Sequence, residues 1–230
     1  MGLGNIFVLS QVTAFLLSFI FSFFIFVPVW SNVNEFSGNC LLYSSGLWIP
    51  QSSISQVKLN IVWGPNSACN FTIFVGVAVL VLSIFYMVWQ SRYLCRGIDS
   101  SWLDAFVTCA VTLVMTVVLF ATALTASVGF REWCSLITNP VSQIEQCENG
   151  QYDGRIVFTS GLQINTNNYY TEMEMSQFGL WATWICWLVL SFLSVIKLYR
   201  FHRQEAFLTS MNRERERLLQ RVGHPATEPM

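Results

Sequence analysis

Four stretches of this sequence, Met1–Asn34, Leu59–Ser91, Ala105–Phe130 and Met175–Ile196, contain no Asp, Glu, Lys or Arg, and together they make up half of the 230 residues. About 20 apolar residues, rising roughly 1.5 Å each, cross the hydrocarbon core of a bilayer. Each stretch holds one such segment, at residues 6–29, 71–89, 103–129 and 178–199. Charged side chains make up only 11% of the chain, against about 25% in an ordinary soluble domain, so they could not cover a soluble globule of this size. The pattern excludes a soluble enzyme and a disordered chain. With a net charge of −1 it also excludes a nucleic-acid binder that relies on bulk positive charge. The predicted fold is an all-α membrane bundle of four transmembrane helices with a small disulfide-linked, β-containing cap. Residues 1–200 form the four-span domain and 201–230 a tail that is partly helical and then disordered. The first apolar run lacks a basic leader and a small-x-small site before Trp30, so it reads as a retained span and not a signal peptide.

Orientation follows from the basic residues near the spans. Arg92 and Arg96 lie between spans two and three. Lys197, Arg200, Arg203, Arg213, Arg215, Arg217 and Arg221 follow span four, whereas only Lys58, Arg131 and Arg155 lie in the other two connections. The termini are therefore expected in the cytoplasm of a plasma-membrane or secretory-pathway protein, with outer loops at about 30–70 and 130–177. Trp30, Trp63 and Trp133 flank the outer boundary, and Trp89, Tyr93 and Trp102 the inner one.

Four of the seven cysteines, Cys40, Cys69, Cys134 and Cys147, fall in these outer loops, where disulfides persist. Four cysteines allow three pairings, of which the within-loop pairs Cys40–Cys69 and Cys134–Cys147 are the simplest. Cys109 and Cys186 lie within spans as packing residues. Cys95, just inside the membrane, is either a palmitoylation site or an unmodified thiol. Apolar and polar residues alternate over Gln56–Trp63 and over Leu162–Asn165, after the apolar run Ile156–Phe158, which predicts a small sheet. Thr171-x-x-Glu174 has the form of a capping box that starts span four, and Ser101-x-x-Asp104 a weaker form for span three.

No ionisable side chain lies in the middle of a span, so proton-coupled transport and intramembrane proteolysis lack their usual chemistry. His202 and His224 have no cysteine or histidine partner at metal-binding spacing. No phosphate-binding loop, nucleophile elbow or dinucleotide fingerprint is present. No catalytic residue, cofactor or metal is expected. Thr108, Thr112, Thr116, Ala123 and Ser127 fall on one face of span three, a small-residue stripe suited to close helix packing inside the bundle or against another membrane protein. Asn70-Phe71-Thr72 is a glycosylation sequon, and Asn70 has a competing role as the N-cap of span two. In the tail, Leu208, Met211, Leu218 and Val222 form a near seam. Arg213–Arg217 alternates in sign, as in a solvated helix able to touch anionic lipid.

Several segments resemble the transmembrane protein 179 family: Gly38-Asn39-Cys40-Leu41-Leu42, Trp63-Gly64-Pro65 with Ala68-Cys69 and Phe71, Ser127-Val128-Gly129-Phe130 with Trp133-Cys134, and Gln177-Phe178-Gly179-Leu180-Trp181-Ala182 with Trp184. Arg203-Gln204-Glu205 after span four fits as well. The resemblance implies a four-span membrane protein with cytoplasmic termini and brings no catalytic residue to transfer. The layout is also similar to claudins and related auxiliary channel subunits, whose Gly-Leu-Trp element matches Gly46-Leu47-Trp48. Here, though, Cys40 precedes that element instead of following it, and the second outer loop is as long as the first. The expected function is a non-enzymatic subunit that binds another membrane protein in auxiliary, trafficking or adhesion roles, with membrane lipids as its surroundings. The alternative is a homo-oligomeric channel or lipid-handling protein with a neutral threonine-lined path. An enzyme would have to use loop acids such as Glu145, Asp153 and Glu172, which read more simply as a solvated face.

Overall fold

The computed structural model describes residues 3–50, 57–96, 102–152, 156–159 and 164–222, without the side chains of 3–6, 94–96, 205, 206, 208 and 218–222. Four helices carry the architecture: α1 (Leu3–Glu35), α2 (Asn66–Arg96), α3 (Trp102–Ile137) and α4 (Tyr169–Val222). All four are long and apolar enough to cross a membrane. Each runs beyond its apolar segment; at the capped end aromatic side chains pack the further turns of α1, α3 and α4. α4 continues without interruption into the tail, where Arg213–Arg217 is exposed.

The cap is a three-stranded sheet in the order β1-β2-β3. β1 (Cys40–Pro50) pairs antiparallel with β2 (Val57–Gly64), and β2 pairs parallel with the two-residue β3 (Val157–Phe158). The alternation over residues 57–63 and the run ending at Phe158 anticipate β2 and β3. β1 has no clean alternation, because a register irregularity between Cys40 and Ser45 buries Cys40, Leu41 and Leu42 in succession. The expected strand near Leu162–Asn165 does not form at Ile164 and Asn165, and Leu162 and Gln163 lie outside the described residues.

Aromatic packing at the capped end joins every helix but α2. The buried ring of Phe36, just past α1, meets Trp63 of β2 at 5.8 Å, Trp133 of α3 at 6.0 Å and Tyr169 of α4 at 6.4 Å, all edge-to-face. Such pairs stabilise by about 0.5–1.5 kcal/mol each beyond the area they bury. This cluster corrects two expectations. Trp133 is a core residue and not an interfacial anchor. α4 begins at Tyr169, ahead of the expected capping box, because burial of the Tyr169 ring fixes the first turn. The Thr171 hydroxyl turns to Gln151 Oε1 at 3.4 Å and does not cap the helix. Ser101 lies outside the described residues.

Small residues set the helix spacing. A Cβ at Gly179 would meet Phe24 Cβ at 2.9 Å and its carbonyl carbon at 3.0 Å, so α4 approaches α1 closely there. Phe24 is also the residue whose carbonyl loses its intrahelical donor to Pro28. Gly76 makes the corresponding approach of α2 to α1, 2.9 Å from Phe26 Cβ.

Candidate functional site

Two surfaces and one interior network hold the chemistry of this fold. The first surface is the outward face of the β1–β2 ladder. Ser45 pairs with Val62, Leu47 with Asn60 and Ile49 with Lys58, so these six side chains share one face. Leu47 is 75% exposed, Val62 67% and Ile49 45%, and Leu47 and Val62 are diagonal neighbours. The opposite face carries Trp48, whose indole Nε1 donates to the Leu136 carbonyl at 2.8 Å and ties the sheet to α3. An apolar stripe has therefore formed on the face turned away from the molecule.

Two disulfides hold this cap. Cys40 at the start of β1 is bonded to Cys69 in the first turns of α2, and Cys134 in the last turn of α3 to Cys147. Asn70 is exposed on α2, but the helix starts at Asn66, so Asn70 is not the N-cap expected of it. That start is held by Pro65 and by the Asn66 side chain, whose Oδ1 accepts the Cys40 amide at 3.2 Å. Cys109 and Cys186 are free thiols within helices, and the side chain of Cys95 lies outside the described residues.

The threonine stripe of α3 faces the interior. Thr108, Thr112 and Ala123 are buried, Thr116 shares a 2.9 Å hydrogen bond with Ser191 of α4, and Ser127 accepts from Trp181 Nε1 at 3.3 Å. The interior polar groups also form layers. Ser18 Oγ accepts from Trp187 Nε1 at 2.7 Å and from Ser83 Oγ at 3.0 Å. Seven residues along each of the same helices lie Gln11, Gln90 and Ser194, where Gln11 Nε2 donates to Ser194 Oγ at 3.4 Å. The Gln90 amide and the Thr108 hydroxyl are buried without a partner. Hydroxyls and amides at neutral positions are the signal the sequence offered for this network. Their pairing depends on helix rotation, which composition does not encode.

The second surface lies at the capped ends of α1 and α4, beyond their apolar segments, where Asn32 of α1 meets Glu172 of α4. Asn32 is fully buried, and its Nδ2 reaches Glu172 Oε2 at 3.5 Å. Burial, then the neighbouring Glu172 carboxylate, pushes the Glu35 carboxyl above its ordinary range. Burial also raises Glu172, while bonds from Ser31 and Asn32 pull it back in part. Glu172 is thus partly buried against α1, a correction to its reading as part of a solvated face. Glu35 was missed, although Asn32-x-x-Glu35 after an apolar run marks one polar face of a helix end. Glu145 is exposed, and Asp153 lies outside the described residues. Among the described residues no three His, Cys, Asp or Glu side chains converge.

A family model described as "Transmembrane protein 179/179B Claudin domain" matches residues 7–219 of this chain. No solved structure matches it.

Proposed function

Because the chain belongs to the transmembrane protein 179/179B claudin-domain family and is a multi-pass membrane protein, we propose that it acts without catalysis. In this reading it is an auxiliary, trafficking or adhesion-type subunit that binds another integral membrane protein. The observation that carries the reading is the stripe of Leu47, Ile49 and Val62 on the free face of a disulfide-pinned sheet. Apolar side chains clustered on a water-facing sheet gain nothing in the isolated molecule, and such patches mark interaction sites. In the proposed orientation the cap faces the lumen or exterior of a plasma-membrane or secretory-pathway compartment, with both termini cytoplasmic. The excess of basic residues at the opposite end and the two disulfides support it. The test is gentle detergent extraction followed by cross-linking mass spectrometry. A recurrent membrane-protein neighbour, lost in Leu47→Asp, supports the proposal. A protein recovered alone across tissues, or a neighbour indifferent to Leu47→Asp, refutes it.

A second reading is a homo-oligomeric channel or lipid-handling protein with a neutral path along Thr108, Thr112 and Thr116. The unpartnered Thr108 hydroxyl and Gln90 amide favour it, since buried polar groups ordinarily find a partner or water. Cysteine replacements at these threonines discriminate the two. Labelling by a water-soluble thiol reagent supports a wet path, and silence supports dry packing.

A further inference from the structure

Gln11 of α1 and Gln90 of α2 face each other in the interior of the bundle, and we propose that they hold an ordered water molecule between them. Helix register places the two side chains. Ile25 Cγ2 lies 3.0 Å from where a Cβ on Gly76 would stand, Ser83 Oγ is 3.0 Å from Ser18 Oγ, and the Phe15 and Tyr86 rings stack at 5.3 Å. Each step toward the start of α1 is thus matched by an equal step toward the end of α2, first of seven residues and then of three. The next step of four, about one helical turn, brings Gln11 opposite Gln90. α4 keeps the same register: Trp187 Nε1 donates to Ser18 and, seven residues on, Ser194 accepts from Gln11 Nε2 at 3.4 Å.

What the two amides leave open matches water. Gln90 is fully buried and Gln11 nearly so, and neither Oε1 nor Nε2 of Gln90 has a partner. Gln11 spends its Nε2 on Ser194, which leaves Gln11 Oε1 open. The layer therefore offers two acceptors and one donor. One water can donate to both oxygens and accept from Gln90 Nε2, within the two to four bonds usual for internal water. Turning the Gln90 amide over exchanges its ends and leaves the same set. The open Thr108 hydroxyl is a different case, because a threonine can bond a carbonyl one turn back in its own helix, as Thr116 does with the Thr112 carbonyl at 2.7 Å. A glutamine amide in mid-helix has no such outlet, and in an apolar surrounding an unpaired one is costly.

On the side toward the cap the layer is closed by aromatic rings. Phe15 stacks on Tyr86 and meets Trp187 edge-on at 5.9 Å, and Phe15 and Trp187 are fully buried. A site closed in this way takes a small ligand without a tail. It fills whether or not the bundle conducts, and whether or not the cap has a partner, so its failure leaves both functional readings standing. Thiol labelling along the threonine face asks for a path through the bundle, whereas the experiment below asks for a resident molecule.

The experiment is X-ray radiolysis of the full chain in lipid nanodiscs equilibrated with H₂¹⁸O, with the products located by mass spectrometry. Radiolysis of a bound water makes a hydroxyl radical in place, which oxidises the ring beside it, whereas radicals from bulk solvent do not reach a fully buried ring. Phe15, one turn from Gln11, should therefore take up ¹⁸O in the wild type and lose that uptake in the Gln11→Leu, Gln90→Leu double variant. Thermal unfolding gives a second readout whose sign decides. At a hydrated site Gln90→Leu strands the Gln11 oxygen and should lower the melting temperature by about 3–6 °C. At a dry site the same change removes an unsatisfied group and should raise it. Gln90→Met takes its place if the leucine variant fails to fold. The proposal is overturned if wild-type Phe15 takes up no ¹⁸O, if the uptake survives in the double variant, or if the apolar replacement of Gln90 fails to lower the melting temperature.

Discussion

Removing the Ser18 hydroxyl should unsettle the bundle far more than removing the Ser83 hydroxyl, although both are fully buried and bonded to each other. Ser18 is the acceptor at a node: Trp187 Nε1 donates to it at 2.7 Å and Ser83 at 3.0 Å. In Ser83→Ala one hydrogen bond disappears, while Ser18 keeps its indole partner. Interhelical bonds in membrane proteins average about 0.6 kcal/mol, so that variant should lose about this much. In Ser18→Ala the Ser83 hydroxyl can turn to a carbonyl of its own helix, as hydroxyls in apolar helices do. The Trp187 N–H has no such recourse, since its ring is fixed edge-on to Phe15 at 5.9 Å and is fully buried. An orphaned donor costs about 1–3 kcal/mol, which places Ser18→Ala near 2 kcal/mol. A double-mutant cycle with Trp187→Phe removes the cavity cost common to both backgrounds and isolates the coupling. Unfolding in mixed micelles, followed by circular dichroism because Trp187 is altered, reads all four corners. If Ser83→Ala costs as much as Ser18→Ala, or if the 18–187 coupling lies below about 0.3 kcal/mol, the node is not the acceptor described.

Other consequences are equally open to measurement. Breaking Cys40–Cys69, which spans 29 residues, should destabilise the cap by about 3.6 kcal/mol, and breaking Cys134–Cys147, which spans 13, by about 2.9 kcal/mol on loop-closure entropy; paired alanine variants compared by limited proteolysis test the order, and a reversed order refutes it. Gly129→Val should displace β1 from α3, since even a Cβ there would lie 2.8 Å from the Tyr43 ring and 3.0 Å from Leu42 Cβ; the expected loss is about 1–3 kcal/mol, with a lower melting temperature, and an unchanged one contradicts the packing. Stability should depend on pH through Glu35 and Glu172. Both carboxyls titrate higher in the folded chain than their ordinary value of 4.5, so the folded state holds more protons over that window. Their contribution is fully present below pH 4.5 and is lost as pH rises through the raised folded values. The melting temperature should therefore rise on mild acidification and flatten in the Glu35→Gln, Glu172→Gln double variant, and a wild-type slope retained in that variant refutes the assignment.

Membrane crossing was legible because it depends on run length and charge alone; the disulfide pairing stayed open among three, and the structure forms the simplest of them, Cys40–Cys69 and Cys134–Cys147. β2 and β3 showed in their local pattern. β1 did not, since its first residues are buried on both sides against α3 and the bundle and so lose the alternation that reveals a half-buried strand. Tertiary burial also explains the two shifted helix starts. At α2 the Asn66 side chain ties the turn to Cys40, and at α4 the Tyr169 ring is held by Phe36 and Trp133, so long-range contacts override the nearest capping pattern. The Asn32–Glu172 contact escaped notice because its members are 140 positions apart in sequence and meet only when α1 and α4 align. The threonine face was readable as a stripe, but which neighbour it meets is a property of the assembled bundle.

The 54 residues of α4, at about 1.5 Å each, make a single rod of roughly 81 Å, anchored at the cap by Tyr169, packed along the bundle as far as Arg200 over the Phe7 ring, and running on to Val222. A rod of that length works as a pointer. A tilt of about 5° at the clamp would sweep the far tip through roughly 7 Å, more than one helical turn. In the proposed orientation, a partner that grips the cap would reposition the charged Arg213–Arg217 segment across the bilayer through the helix alone.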